Sequence, residues 1–122
     1  MDPLIGEILK TEGAATFITT GTGGPHLVAT WNSYLVPSGD NRLHFPAGGY
    51  RTTESNLKAG SKLMMMLGSK AAQGKRGPGA GYRLTGTATF ATEGAAYDQI
   101  KQRFPWARAV VVFTVEQSEQ LL

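Results

Sequence analysis

The chain has 122 residues, a formal net charge of +3, 41% hydrophobic residues, 16 glycines and no cysteine. This length predicts a single domain over residues 1–122, and the missing cysteines exclude disulfides, iron–sulfur clusters and thiolate zinc sites. The basic residues form no concentrated run of the kind that nucleic-acid binding needs. No apolar stretch approaches the ~20 residues of a membrane span, and the start lacks a secretory signal. We therefore expect a cytoplasmic protein.

The first segment has the signals of a short helix followed by strands. Asp2 suits the N-cap, Pro3 the first helical position and Gly13 the residue just past the end. Segments rich in β-formers and separated by Gly, Ser, Asp and Asn turns then predict three strands, at 14–20, 25–36 and 43–45.

The second half predicts two more helices and three more strands. Thr52 and Thr53 precede a short helical segment over 54–59 that Gly60 ends, and we expect a threonine cap there. Later elements are expected as a strand at 62–67, a glycine-rich basic loop at 70–81, a strand at 82–92, a helix at 95–104 and a strand at 108–115. Strands predominate without a parallel βαβ alternation, so we predict a mainly β fold, a closed or nearly closed antiparallel barrel with short peripheral helices.

The segment from Gly48 to Thr53 has the composition of a phosphate-binding turn. Gly48 and Gly49 let the backbone approach a ligand closely. Two threonine hydroxyls follow at a predicted helix N-terminus, where free amides favour an anion, and Arg51 adds a permanent positive charge. A plain turn followed by a helix cap accounts for the same residues.

The segment Thr30-Trp31-Asn32-Ser33-Tyr34 places an aromatic side chain beside small hydrogen-bonding ones. In a continuous strand, Trp31 and Ser33 would share one face, and Thr30, Asn32 and Tyr34 the other. This arrangement suits a flat heterocycle, and a core tryptophan with solvated neighbours is the alternative. Trp106, at a helix–strand junction, has by itself the character of a packing residue.

The chain resembles the FMN-binding split-barrel group that contains flavin reductases, pyridoxamine-phosphate-oxidase-like proteins and the small FMN-binding proteins of sulfate-reducing bacteria. The resemblance runs essentially end to end. The blocks that carry it are Gly24-Pro25-His26-Leu27-Val28, Thr30-Trp31-Asn32-Ser33-Tyr34-Leu35, Gly48-Gly49, Gly77-Pro78-Gly79 and Trp106-Ala107-Arg108-Ala109.

The resemblance implies bound FMN and a homodimer. Trp31 would lie against the isoalloxazine ring, with Tyr34 and Trp106 around it and Thr30 and Asn32 in contact with the flavin. The remaining implied cofactor contacts are Pro46, Ala47, Gly48 and Gly49 along the ring or ribityl chain, Thr52 and Thr53 at the phosphate, and Leu122, which would cover the flavin of the other subunit.

The sequence departs from the family pattern at two places near the implied phosphate. The family has lysine and threonine where this chain has Thr52 and Thr53, so Arg51 is the candidate for the missing cation. The family asparagine before Thr-Trp is Ala29.

The resemblance favours an electron carrier in a redox chain that works with a redox protein partner, binds no nucleic acid or membrane and holds no metal. Two alternatives stay open. One is a flavin reductase or a pyridoxamine-phosphate-oxidase-like oxidoreductase, for which a chain this short has few segments to build a second pocket. The other is a module that stores or senses FMN.

Overall fold

A computed structural model describes residues 1–122 as seven strands with three short α-helices. None of the helices is both long and apolar enough to cross a membrane. The elements in chain order are α1 (Pro3–Leu9), β1 (Ala14–Gly21), β2 (Gly24–Trp31), a 3-10 helix (Asn32–Tyr34), β3 (Val36–Ser38), β4 (Arg42–Ala47), α2 (Arg51–Lys58), β5 (Leu63–Gln73), β6 (Pro78–Ala91), α3 (Ala95–Arg103) and β7 (Ala109–Gln120).

All seven strands belong to one antiparallel sheet with the order β2-β1-β5-β6-β7-β4-β3. The rings of Phe17 on β1 and Phe45 on β4 pack 5.3 Å apart although β5, β6 and β7 separate their strands in the sheet. The sheet is therefore strongly curled. The mainly β, antiparallel fold predicted from the sequence is therefore confirmed.

The inside of the curled sheet is the hydrophobic core. Phe17, Phe45 and Phe113 are almost completely buried there, and α1 closes one end with Ile5 and Ile8. Burial of such a side chain contributes roughly 1.5–3 kcal/mol. A second, smaller cluster fills the space beneath α3 and consists of Ile100, Phe104, Ala107 and Val110.

The strand predicted over 25–36 is interrupted, so that prediction is wrong. β1 begins at Ala14, opposite Trp31, and β2 has no ladder partner beyond that point. Asn32 turns away instead: its backbone N–H donates to Gly13 O at 2.8 Å, and its side-chain Nδ2 donates to Gly68 O at 3.0 Å. The chain therefore makes a 3-10 turn, and the two alternating faces expected for residues 30–34 do not form.

Gly13 also has a different role from the one expected. α1 ends at Leu9 with Lys10 as its C-cap, so Gly13 lies outside the helix end. A Cβ on residue 13 would come within 2.9 Å of Asn32 Nδ2, closer than real Cβ contacts. Glycine at this position allows the close packing of Asn32.

The glycine-rich loop predicted over 70–81 is mostly strand. β5 continues to Gln73 and β6 begins at Pro78, leaving only residues 74–77 as the turn. The glycines allow the two strands to approach closely. Gly68 pairs with Gly81, and a Cβ on Gly74 would come within 1.9 Å of Gly79 O.

Candidate functional site

Helix α2 begins at Arg51, and Thr52 and Thr53 lie inside its first turn. The expectation of a threonine cap is wrong, because the N-cap is Tyr50, which forms no side-chain capping bond. Tyr50 has φ 59° and ψ 38°, a left-handed conformation that is uncommon for a residue other than glycine. First-turn amides of a helix have no intrahelical acceptor and carry the positive end of the dipole, so the helix start can accept an anion.

The side chain of Tyr50 connects this helix start to the end of β2. Its hydroxyl donates to Ala29 O at 2.5 Å, and its ring packs edge-on against Phe17 with centroids 5.1 Å apart. Burial raises the pKa of the Tyr50 hydroxyl, which keeps it protonated as a donor. The contact brings the segment after β4 close to Thr30 and Trp31.

Arg108 holds the glycine pair and α2 together. Its guanidinium donates to Gly49 O from Nε at 3.0 Å and from Nη2 at 2.6 Å, and Nη2 also contacts Glu54 Oε1 at 3.0 Å. Its backbone N–H donates to Ala47 O at 2.8 Å. Burial alone would raise the pKa of Glu54, but the hydrogen bond and charge of Arg108 lower it below its usual value. One arginine thus fixes the path of residues 47–54.

An aromatic cluster lies on the other side of the glycine pair. The ring centroids of Tyr34 and Phe104 are 4.8 Å apart, and Trp106 lies 5.9 Å from Tyr34 and 5.7 Å from Phe104. A Cβ on Gly48 would be 3.3 Å from Trp106 Cζ3, so the indole lies directly against this glycine. The side chain of Trp106 is 54% exposed, which leaves part of the indole available to a flat ligand.

Two buried oxygen atoms of the predicted site residues lack a hydrogen-bond partner, Asn32 Oδ1 and Thr53 Oγ1. Buried polar atoms are nearly always paired, so each such exception calls for a reason. Thr53 is in the first turn of α2, whereas Arg51 and Thr52 beside it are exposed, and Arg51 forms no ion pair. A ligand oxygen at the helix start would fit this donor set.

Trp31 and Leu122 lie on the outer face of the sheet, at the same end. Trp31 pairs with Ala14 across β1, and Gly68 pairs with Gly81 between β5 and β6. Leu122 covers Gly81, since its Cδ1 lies 3.2 Å from a Cβ built there. Three strand spacings, about 14 Å, therefore separate β2 from the strand beneath Leu122. Trp31 is 52% and Leu122 57% exposed.

The structure brings most of the predicted site residues into one region, around Tyr50 and the glycine pair. Contacts or helix α2 join Tyr34, Ala47, Gly48, Gly49, Arg51, Thr52, Thr53 and Trp106 there. Thr30 and Trp31 follow Ala29, to which Tyr50 bonds, and Pro46 precedes Ala47. Asn32 is buried against Gly68, and Leu122, which follows β7, packs against Gly81 of β6 outside the group.

The sequence reasoning missed two residues of this region, Tyr50 and Arg108. Tyr50 directly follows the glycine pair, and Arg108 lies in the block Trp106-Ala107-Arg108-Ala109 that carries the family resemblance. That block was the available signal, whereas the contact of Arg108 with Gly49 spans 59 positions and has no local signature.

Comparisons with known proteins identify the family of the chain. The family model described as pyridoxamine 5'-phosphate oxidase matches residues 1–121. The FMN-binding protein of Nitratidesulfovibrio vulgaris is 46% identical over 116 residues, which cover 95% of this chain and 94% of that protein.

Solved structures share the fold at low sequence identity. HupZ of Group A Streptococcus has a TM-score of 0.80 at 20% identity, covering 99% of this chain and 94% of that one. An FMN-binding protein from Syntrophomonas wolfei has a TM-score of 0.73 at 18% identity, covering 98% and 87%. The chain belongs to the pyridoxamine 5'-phosphate oxidase family and has its split-barrel fold.

Proposed function

We propose that this chain binds FMN non-covalently and carries electrons in a cytoplasmic redox chain as a homodimer. The observation that carries the proposal is the unpartnered hydroxyl of Thr53 in the first turn of a helix, connected through Tyr50 to an exposed tryptophan. The similarity with a protein named FMN-binding protein extends over 95% of the chain and supports the same cofactor.

The phosphate end of FMN fits the start of α2. Arg51 and Thr52 are exposed there and the first-turn amides are free, so the helix offers positive charge and several donors together. The Thr53 hydroxyl would gain the partner it lacks within the chain. Arg51 supplies the cation that the family places one residue later.

The ring of FMN fits the apolar surface beyond the glycine pair. Trp31 and Trp106 expose about half of each side chain, and Gly48 keeps the backbone beside Trp106 free of bulk. Flat aromatic surfaces of this kind bind a heterocycle by stacking and exclude water from it. When bound, FMN supplies the redox chemistry, and the protein sets its orientation and access.

The homodimer is supported by an apolar outer face on β2, β1 and β5. Leu27 pairs with Ile18, which pairs with Met64, and the neighbouring row places Met66 beside Thr16. Leu27 is 62% and Met64 43% exposed. Contiguous exposed apolar side chains on a sheet typically mark an interface. In such a dimer Leu122 of one subunit would cover the flavin of the other, as the family resemblance implies.

The test is the absorption spectrum of the purified protein followed by titration with cofactors. We expect a yellow protein with a flavin spectrum, or an apo form that takes up one FMN per chain and binds riboflavin more weakly. A colourless protein that takes up no FMN would overturn the proposal. Equal affinity for FMN and riboflavin would overturn the assignment of the phosphate to α2.

An oxidoreductase is the second candidate, because the family model is that of pyridoxamine 5'-phosphate oxidase. Steady-state turnover of NADH, or of pyridoxamine 5'-phosphate with oxygen, by the FMN-loaded protein separates the two functions. Turnover at rates of about 1 per second or more, the usual lower range for enzymes, would favour the enzyme. FMN binding without any electron exchange with redox proteins would favour storage or sensing.

A further inference from the structure

The charges of the chain are distributed unevenly. Residues 55–92 contain no Asp or Glu, but include Lys58, Lys62, Lys70, Lys75, Arg76 and Arg83. Lys58, Lys62 and Arg83 are neutralised by Glu54, Glu116 and Glu119, respectively. The other three, Lys70, Lys75 and Arg76, form no ion pair and lie on the tip of the β5–β6 hairpin, residues 70–79.

This hairpin tip extends past the neighbouring strand. The ladder between β1 and β5 reaches Thr16 and Met66, so the residues beyond Gly68 have no β1 partner. The stem of Lys70 lies against Gly79, with its Cδ 3.6 Å from a Cβ built there. The three cations therefore project from one end of the sheet.

A cleft of about 380 Å³ separates the turn at residues 75–79 from Leu121 and Leu122. Leu121 is 39% and Leu122 57% exposed. The hairpin tip thus places the partly exposed Leu121 beside unpaired positive charges. Leu122, which would cover the flavin of the other subunit in the proposed dimer, borders the same cleft.

A partly exposed apolar residue beside unpaired charges suits a small, transient protein interface. Electron-transfer complexes bury less than about 1,200 Å² in total, and opposite charges accelerate their encounter by about 10–1,000-fold. Because the side-chain charges without an ion pair at the tip are all positive, the matching partner surface is acidic.

We infer that the hairpin tip is the docking surface for an acidic redox protein that exchanges electrons with the bound FMN, an inference that rests on the proposed function. Each encounter passes one electron between the redox centre of the partner and FMN. Full reduction of FMN takes two such electrons and one or two protons from solvent. Leu122 borders the cleft, and its expected place over the flavin of the other subunit would bring the docked partner close to that flavin.

The experiment measures electron transfer to the FMN-loaded protein by stopped-flow absorbance. A reduced acidic ferredoxin is the anionic probe, and a basic c-type cytochrome, which takes electrons from the reduced protein, is the cationic one. The hairpin variant is Lys70→Gln, Lys75→Gln and Arg76→Gln combined. The control removes three exposed cations elsewhere, with Lys10→Gln, Arg42→Gln and Lys62→Gln combined.

We expect the hairpin variant to react with ferredoxin at least tenfold more slowly at low salt, and with cytochrome no more slowly than the unchanged protein. The control should retain most of the ferredoxin rate. The difference in ferredoxin rate between the hairpin variant and the unchanged protein should vanish near 1 M salt, where the Debye length is about 3 Å. FMN content and the mass in solution should stay the same in all three proteins.

Three results would overturn the inference. An unchanged ferredoxin rate in the FMN-loaded hairpin variant would overturn the docking surface but not the proposed binding of FMN. Equal slowing by the control would show that only net charge matters. Dissociation of the hairpin variant into monomers would assign the tip to the subunit interface. Failure of every version to bind FMN would instead overturn the proposed function, and the inference with it.

Discussion

Arg108 on the approach to β7 and Gly49 before α2 are joined by two hydrogen bonds from one guanidinium to one carbonyl oxygen, at 3.0 and 2.6 Å. The same guanidinium lies 5.4 Å from the centroid of the Phe90 ring and contacts Glu54. A planar, forked donor can make all these contacts at once, which an ammonium group cannot. Arg108 thereby sets the position of the segment proposed to bind the phosphate.

Replacing Arg108 with lysine should weaken FMN binding by about tenfold, equivalent to about 1.4 kcal/mol. The variant keeps the charge but loses the fork that holds Gly49 and Glu54 together. Fluorescence titration with FMN measures the effect. Arg83→Lys is the matched control, because Arg83 pairs with Glu119 across β6 and β7. The positioning role of Arg108 would be refuted by equal FMN affinities in the two variants.

Thr53→Val should weaken FMN binding without destabilising the fold. The Thr53 hydroxyl is buried without a partner, a state that costs about 1–3 kcal/mol, and valine has nearly the same shape. The FMN-free variant should melt at the same temperature as the unchanged protein or a few degrees higher. FMN affinity should fall about tenfold and riboflavin affinity by less than about twofold, in line with the loss of one charge-assisted hydrogen bond.

Ser55→Ala, at an exposed position two residues further along α2, is the control for Thr53→Val and should leave both affinities unchanged. Calorimetric titration gives the affinities, and thermal unfolding followed by circular dichroism gives the melting temperature. A parallel loss of FMN and riboflavin binding in Thr53→Val would contradict the phosphate assignment.

Local signals in the sequence predicted those parts of the fold that depend on near neighbours. Asp2 caps α1 by accepting from Leu4 N at 2.9 Å, and Pro3 is its first residue, both as expected. The barrel class followed from the succession of strands and turns. These features depend on residues a few positions apart, which a sequence window contains.

The features that were predicted wrongly depend on distant partners. The turn at Asn32 requires acceptors on Gly13 and Gly68, and the length of the β5–β6 hairpin requires glycines that face each other across two strands. The left-handed conformation of Tyr50 is accompanied by its bond to Ala29, 21 positions away. No local propensity encodes these contacts, so the candidate residues could be predicted from the sequence, but the supporting roles of Tyr50 and Arg108 could not.

The contact between Tyr82 and Asp2 should make stability depend on pH at both ends of the range. The Tyr82 hydroxyl donates to Asp2 Oδ2 at 2.5 Å. This bond, followed by that from Leu4 N, lowers the pKa of Asp2, and burial raises the pKa of Tyr82 to about 12. Because the pKa of Asp2 is lowered, its carboxylate stabilises the fold above about pH 4, and this stabilisation is lost as the pH falls. Because the pKa of Tyr82 is raised, its protonated phenol stabilises the fold below about pH 10, and this stabilisation is lost as the pH rises towards 12.

Tyr82→Phe should therefore lower the melting temperature by several degrees at pH 7. The difference in melting temperature between the variant and the unchanged protein should become smaller below pH 4 and again above pH 10. Melting curves between pH 3 and pH 11 provide the measurement. Tyr97→Phe on α3 is the control, because the Tyr97 hydroxyl forms no hydrogen bond within the chain. A difference that stays constant across this range would show that the ionisation of the pair does not contribute.

Met64→Glu should dissociate the proposed homodimer without unfolding the subunit. The side chain of Met64 is 43% exposed on the apolar outer face, between Ile18 and Thr85, so a carboxylate there leaves the core intact. Buried at an interface, the same charge would lose its hydration without a partner. Sedimentation analysis should show twice the mass of one chain for the unchanged protein and the mass of one chain for the variant.

The control for Met64→Glu is Thr89→Glu, an exposed β6 position opposite Val112 on another part of the sheet, which should leave the dimer intact. Unchanged circular dichroism would show that the Met64→Glu subunit is folded. FMN should bind this variant more weakly, because the Leu122 expected to cover the flavin belongs to the other subunit. Weaker binding with the dimer intact would mean that Met64 affects the flavin within its own chain. A monomeric unchanged protein that binds FMN tightly would rule out any need for a second subunit.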